Sequence, residues 1–239
     1  MSVKWRKKKD CGFVELNNHP VNAINLDIRK GLIDAVKWAE EEKVKRVILS
    51  GVGRAFAAGA DTKEFDRLAE SPHLPDVIDR IENSNIPWIA ALHGAVLGGG
   101  AELALGCRYR IARADSSIGF PEVILGIVPG AGGTQRLPRL VGCSEALKMI
   151  PTGKFVTGSK ALTIGLVDEV SDSPINAASC VNLQTLNSIV PVSKRIALAG
   201  KTAHYEAAKK SVTKRMRGQE APLAALALIK TAQTASLKQ

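Results

Sequence analysis

With 239 residues, 45% of them hydrophobic and only 4% aromatic, the chain can bury one substantial core, and that core must be mostly aliphatic. Its 33 Lys and Arg against 23 Asp and Glu leave a net charge of +10. Four cysteines, Cys11, Cys107, Cys143 and Cys180, show no CxxC spacing, which excludes a zinc ribbon and a disulfide framework and suits a reducing compartment.

Taken in order, the basic run Lys4, Arg6, Lys7, Lys8 and Lys9 is followed by DCGFVELNNHP rather than an apolar stretch, so no secretion signal is expected. GFVEL (12–16) alternates as a short strand, and NNHPVNAIN is punctuated as a loop. Residues 26–42 place Leu26, Ile28, Leu32, Ile33, Val36 and Trp38 at helical spacing. VKRVILSG (44–51) reads as a buried strand, GVGRAFAAGAD (51–61) as a small-residue loop, and TKEFDRLAE as a helix start. Pro72 and Pro75 interrupt the pattern before a helix over 76–84. PWIAALHG (87–94) is a strand, then a glycine turn leads into the helix AELALGC. Although residues 86–107 are largely apolar, His93, Glu102 and the glycines argue for a buried strand plus helix rather than a membrane span. Strands are expected over 108–112, 117–120 and 166–170, and helices over 138–149 and 161–164.

Strands and helices thus alternate to about residue 171, as in a layered α/β domain, with no repeat at fixed spacing. SDSPI (171–175) links this part to a region with helical patterns alone, over 181–190, 194–210 and 223–236. We expect a core over 1–175 and a helical appendage over 176–239, whose last pattern stops without a cap, as though the chain were cut short. The appendage carries a second basic group, Lys194, Arg195, Lys201, Lys209, Lys210, Lys214, Arg215 and Arg217. Each cluster is either a solvated face or a surface for a phosphate-rich partner.

The chemistry gathers between Leu97 and Gly133. Gly98, Gly99 and Gly100 open a helix, which frees backbone N–H groups and allows close approach of a ligand. Glu102 falls in the first turn of that helix, and Glu122 follows Pro121 in a second apolar loop. Two carboxyl groups in weakly polar surroundings, beside backbone able to bind an anion, suit acid–base chemistry next to a developing oxyanion. No Lys-Ser/Thr follows the glycines, so a P-loop is excluded. The plainer alternatives are a helix-dipole role for Glu102, an ion pair of Glu122 with Arg136 or Arg108, a capping role for Asp61, and a satisfied core histidine at His93.

FAAGAD (56–61), LGGGAE (97–102), PEVILG (121–126) and PGAGGTQRL (129–137) together resemble, in order and spacing, the crotonase (enoyl-CoA hydratase/isomerase) superfamily. The likeness covers about residues 11–171, and PVNA (20–23) with ELALGCRYRIA (102–112) is most similar to the N-terminal part of type 1 multifunctional enzymes of fatty-acid β-oxidation. It implies an α/β fold, a crotonase-type spiral of ββα turns with a helical C-terminal region. It further implies hydration of trans-2-enoyl-CoA, with 3-enoyl to 2-enoyl isomerisation as an added activity. By the same resemblance Glu102 and Glu122 are the catalytic glutamates, the N–H groups of Ala60 and Gly99 form the oxyanion hole, Ala58 touches the coenzyme A part, and Gly130 lines the pocket. No metal and no cofactor beyond the coenzyme A of the substrate is implied. The context would be a homo-oligomer or a fusion to a hydroxyacyl-CoA dehydrogenase, in the cytoplasm, or in the peroxisome for a eukaryotic multifunctional enzyme. The competing expectation is an RNA-binding relative that uses the basic clusters. It is weakened because Trp5 and Tyr205 are the only aromatics interleaved with them.

Overall fold

The basic start of the chain is a strand. In the computed structural model, which describes residues 2–64, 68 and 70–234, β1 (Val3–Lys8) pairs antiparallel with β2 (Cys11–Leu16). It lies at the sheet edge, where lysines discourage pairing with another chain. Its apolar positions turn inward: Val3 is buried, and Trp5 rests on Trp38 with ring centroids 6.4 Å apart. The helix α1 (Leu26–Glu41) follows, its first turn capped by the Asn25 side chain, which accepts from the Ile28 N–H at 3.0 Å.

A ββα unit then recurs. The first is β3 (Arg46–Gly51), β4 (Ala55–Ala58) and α2 (Leu74–Glu82). The second is β5 (Trp88–Leu92), β6 (Ala95–Leu97) and α3 (Gly99–Gly106). The third is β7 (Tyr109–Ala112), β8 (Ser117–Gly119), a 3-10 turn (Pro121–Leu125) and α4 (Gly133–Met149). Each unit gives its first strand to one sheet and its second to another. After β9 (Phe155–Thr157), α5 (Gly158–Thr163) and β10 (Glu169–Val170), the chain continues as α6 (Pro174–Cys180), α7 (Leu183–Ser188), α8 (Thr202–Arg215) and α9 (Ala221–Thr231). The sheets have the orders β1-β2-β3-β5-β7-β10 and β4-β6-β8-β9, and only β1 and β9 run antiparallel to their neighbours. This is the α/β spiral of ββα turns expected from the resemblance.

Parallel strands of this kind are covered on both faces, so they read as continuous apolar runs. One face of the larger sheet, with Val47 and Leu49, belongs to the main core with Ile28, Leu32 and Val36 of α1 and Ile78 of α2. The other face, with Phe13, Ile48, Ile89 and Ile111, is covered by Ala178 of α6 and Leu186 of α7. Ala225, Leu226 and Ile229 of α9 enter the main core as well.

Several local expectations change. The loop expected over 51–61 contains β4, where Ala55, Phe56 and Ala57 are all buried. Pro75 does not break α2 but lies in its first turn, where the missing N–H costs nothing. The helix expected over 194–210 starts only at Thr202, and Ile196 and Leu198 before it are exposed. The expected TKEFDRLAE helix begins as a 3-10 turn (Thr62–Glu64); residues 65–67 and 69 of it, and 235–236 of the last expected helix, lie outside the described residues. His93 is half-exposed rather than a core residue, with Nε2 2.9 Å from the Gly53 carbonyl.

Candidate active site

The three parallel strands of the smaller sheet end in register, Ala58 opposite Leu97 and Leu97 opposite Gly119. The segments that leave these ends converge at one place: Gly59-Ala60 after β4, Gly98-Gly99 after β6, and Pro121-Glu122 after β8. A crevice beyond the carboxyl ends of parallel strands is the common ligand position in open α/β sheets.

At the β6 end, the glycines serve separate needs. Gly98 has φ +52°, and a Cβ on Gly100 would collide with the Ala57 carbonyl oxygen of β4. This close approach brings the N-terminus of α3 against β4. Ile24 donates to the Gly59 carbonyl at 2.9 Å and accepts from the Asp61 N–H at 3.1 Å. In such a parallel bridge the intervening residue, Ala60, turns its own N–H to the opposite side. That side faces Gly99, whose ideal Cβ position lies 3.6 Å from the Ala60 nitrogen. Gly99 is the first residue of α3, so its N–H has no partner within the helix.

Glu102, in the first turn of α3, is buried. Its Oε1 accepts two backbone N–H bonds, from Ala131 and Gly133, both at 2.8 Å. Burial pushes its carboxyl above the ordinary value, while these two bonds and the charge of Arg136 pull against that rise. Glu122 is different. Both of its carboxylate oxygens are shut from solvent without a hydrogen-bond partner among the described residues. Burial, then the neighbouring Glu102, push it up to about 8. The ion pair of Glu122 with Arg136 or Arg108 does not form: Arg136 pairs with Asp79 and Glu82, and Arg108 reaches the Ile189 carbonyl. Two neighbouring carboxyl groups whose surroundings separate their proton affinities can divide base and acid duties between them.

A cleft of about 880 Å³ opens beside this centre. Ala60 and Gly130 line it, together with Leu74 and Ile127 and the cations Arg29 and Lys63. Ala58, the last residue of β4, is half-buried and outside the cleft lining, its N–H donated to the Val21 carbonyl at 3.0 Å. Of the expected site residues, Glu102, Glu122, Ala60 and Gly99 come together, Gly130 stands on the cleft wall, and Ala58 is not part of that wall. Asp61 accepts from the Lys63 N–H at 3.1 Å, a capping bond of the 3-10 turn. Sequence reasoning missed Ala131 and Gly133, whose contribution is backbone, and Arg29 and Lys63, which belong to neither basic cluster. Neither cluster contributes to the cleft lining. The nearest sequence signal for Lys63 is its place two residues after the end of the FAAGAD motif.

Arg29 also shapes the cleft wall. It pairs with Glu64 at 2.7 Å and donates from Nε to the Pro72 carbonyl at 2.8 Å, tying α1 to both ends of the 64–72 segment.

The chain resembles known proteins over most of its length. Residues 6–234 match the enoyl-CoA hydratase/isomerase family. The "Peroxisomal bifunctional enzyme" of Danio rerio is 38% identical over 94% of this chain, which spans 32% of that relative's length. The "Glyoxysomal fatty acid beta-oxidation multifunctional protein MFP-a" of Cucumis sativus is 38% identical over 66% of this chain and is spanned to 23%. Among solved structures, an enoyl-CoA hydratase from Bacillus anthracis superposes with a TM-score of 0.71 at 30% identity, covering 97% of this chain and 89% of that one. With the family pattern spanning nearly its whole length, the chain belongs to the enoyl-CoA hydratase/isomerase family.

Proposed function

We propose that the chain adds water across the double bond of trans-2-enoyl-CoA, giving 3-hydroxyacyl-CoA, as a step of fatty-acid β-oxidation. The observation that carries this reading is the unequal pair of carboxyl groups, one held by two backbone N–H groups and one buried without a hydrogen-bond partner among the described residues. Glu102 is the base. With Oε1 engaged by the loop, Oε2 takes a proton from water as the water oxygen bonds to C3. Charge moves to the thioester oxygen, where the Ala60 and Gly99 N–H groups receive it; losing one such donor typically costs about 3–4 kcal/mol of transition-state stabilisation. Glu122 enters protonated, as its value near 8 favours, and delivers its proton to C2. The cycle closes when Glu102 returns its proton to solvent and Glu122 takes one up. Ala58 and Gly130 border the coenzyme A part and the water side. No further cofactor enters the step, since the thioester carries its own electron sink.

One carboxyl group suffices to move a proton between C4 and C2, so isomerisation of 3-enoyl-CoA is a second activity of the same site. By likeness to the relatives, the chain works beside a hydroxyacyl-CoA dehydrogenase that consumes its product, in a peroxisome-type compartment where the source is eukaryotic. No described helix is long and apolar enough to cross a membrane.

The test is the loss of enoyl absorbance when crotonyl-CoA or a longer 2-enoyl-CoA is added. Glu102→Gln and Glu122→Gln are each expected to lower kcat by roughly 10²–10⁴ while leaving binding of saturated butyryl-CoA nearly unchanged. Near-native turnover in either variant removes that residue from the mechanism.

A further inference from the structure

Arg136 takes no part in the proton transfers above, yet it is almost completely enclosed, at 2% exposure. Its guanidinium is held by α2: Nε and Nη2 lie 3.1 and 2.8 Å from Glu82 Oε2, and Nη2 lies 2.6 Å from Asp79 Oδ1. The remaining edge turns to the loop before α4, where Nη1 donates to the Ala131 carbonyl at 3.1 Å. Ala131 is thus gripped from two sides, its carbonyl by Arg136 and its N–H by Glu102. The next residue, Gly132, has φ +96°, and a Cβ there would collide with Arg136 Nη1. The guanidinium therefore packs against bare backbone, and the peptide beyond presents the Gly133 N–H to Glu102. Glu82 is itself anchored twice, since its other oxygen accepts the Ser193 N–H at 2.8 Å.

We propose that Arg136 is a positioning residue for the hydration: held by Glu82 and Asp79, it fixes the 131–133 loop so that two backbone N–H groups stay aimed at Glu102. This rests on the hydratase reading of Glu102. The charged groups that face Glu102 are Arg136 and, from the 3-10 turn, Glu122. Asp79 and Glu82 of α2 meet it only across Arg136. A buried fork of this kind is costly to leave half-made, because removing one partner strands a buried charge. A displacement of the base by about 1 Å costs on the order of a hundredfold in rate.

The experiment uses the full chain and four proteins: wild type, the double variant Glu82→Gln/Arg136→Gln, Asp79→Asn and Glu102→Gln. The double variant removes both charges of the buried pair and strands neither. Asp79→Asn removes one arm of the fork at a half-exposed position. The readouts are kcat and KM for crotonyl-CoA across pH, the Kd of butyryl-CoA and a thermal melt. For the double variant we expect kcat at neutral pH about ten- to a hundredfold lower. Its acid limb should move up, because the two loop N–H bonds that favour ionised Glu102 loosen when the loop is no longer held. KM and the butyryl-CoA Kd should stay within about twofold, since the fork does not touch the cleft. Asp79→Asn should lower kcat in the same direction by less, with KM unchanged. A folded double variant with its acid limb unmoved and kcat within about twofold of wild type overturns the proposal. If the double variant does not fold, Asp79→Asn decides alone, and a kcat within about twofold of wild type there overturns the proposal. Native turnover in Glu102→Gln would instead bring down the hydratase reading, whereas its loss beside unmoved fork variants sinks only the role of Arg136.

Discussion

Glu122 keeps two carboxylate oxygens out of water, with no hydrogen bond from another side chain or backbone group among the described residues. Such a group is tolerated because it stays neutral, and it is pushed up to about 8 chiefly by burial and then by Glu102. The folded protein therefore holds a proton that the unfolded chain releases near the ordinary carboxyl value of about 4.3. Between those two values the folded state binds more protons, so stability falls as pH rises through this window. Glu122→Gln, neutral at every pH, should melt like wild type below about pH 4 and increasingly above it as pH approaches 8, by about 2–4 °C for each kcal/mol recovered. Equal melting curves at pH 8 would mean that Glu122 is ionised and partnered in the fold. Turnover should decline over the same alkaline range as Glu122 loses the proton it delivers. Both glutamates were legible in the sequence as acids in apolar motifs. Their unequal environments were not, because Ala131 and Gly133 act through backbone N–H groups that no side chain announces.

The elements that build the site were harder to read than its carboxyl groups. The large-sheet strands β3, β5 and β7 are apolar runs with clear ends, and the sequence pattern finds them. β4 is AFAA inside a glycine-rich loop, β6 has three residues and runs into the glycine turn, and β1 is mostly basic. Their strand character comes from pairing with neighbours distant in sequence, so local pattern misses them. The oxyanion geometry depends on these short strands, and the α3 glycines can test it. On Gly99, a Cβ would meet the flexible Leu74 side chain at 2.9 Å, next to Ala60. Gly99→Val should keep the fold but lower kcat/KM with crotonyl-CoA by at least about tenfold, through crowding where the thioester oxygen sits. On Gly100 the obstacle is the rigid Ala57 carbonyl. Gly100→Ala should cost about 1–3 kcal/mol of stability in a urea melt, as overpacking does. Should Gly100→Ala prove stable and Gly99→Val fully active, the β4–α3 contact does not form the site.

At the scale of the molecule, charge and packing lead to separate expectations. The two basic clusters lie on the β1 edge and around α8, whereas Arg29 and Lys63 line the cleft. Trp5 already packs on Trp38 and Arg6 on Phe13, which removes stacking surfaces that single-stranded RNA would need. Butyryl-CoA affinity should weaken with salt, and Lys63→Gln should flatten that dependence while Lys209→Gln/Lys210→Gln leaves it intact. An effect from the α8 lysines alone would relocate the phosphate contacts.

The division expected near residue 175 can be put to experiment through the second core. Ile48, Ile89, Ala91 and Ile111 are each at most 1% exposed because Ala178 and Leu186 lie over them. These four side chains come from β3, β5 and β7, the central strands that carry the three ββα units. A chain ending at residue 175 would present them to water, and an uncovered parallel sheet face is not a stable arrangement. We therefore expect a 1–175 fragment to be insoluble or without a cooperative melt, although every candidate site residue lies within it. Leu186→Ala in the full chain is the milder probe. It should cost about 2–5 kcal/mol, the usual range for emptying a buried leucine site, while leaving the KM for crotonyl-CoA unchanged, because the second core lies on the sheet face away from α1, α2 and α3. A fragment 1–175 that melts cooperatively and hydrates crotonyl-CoA would make the boundary at 175 a true domain boundary, and α6 and α7 a covering the spiral can do without.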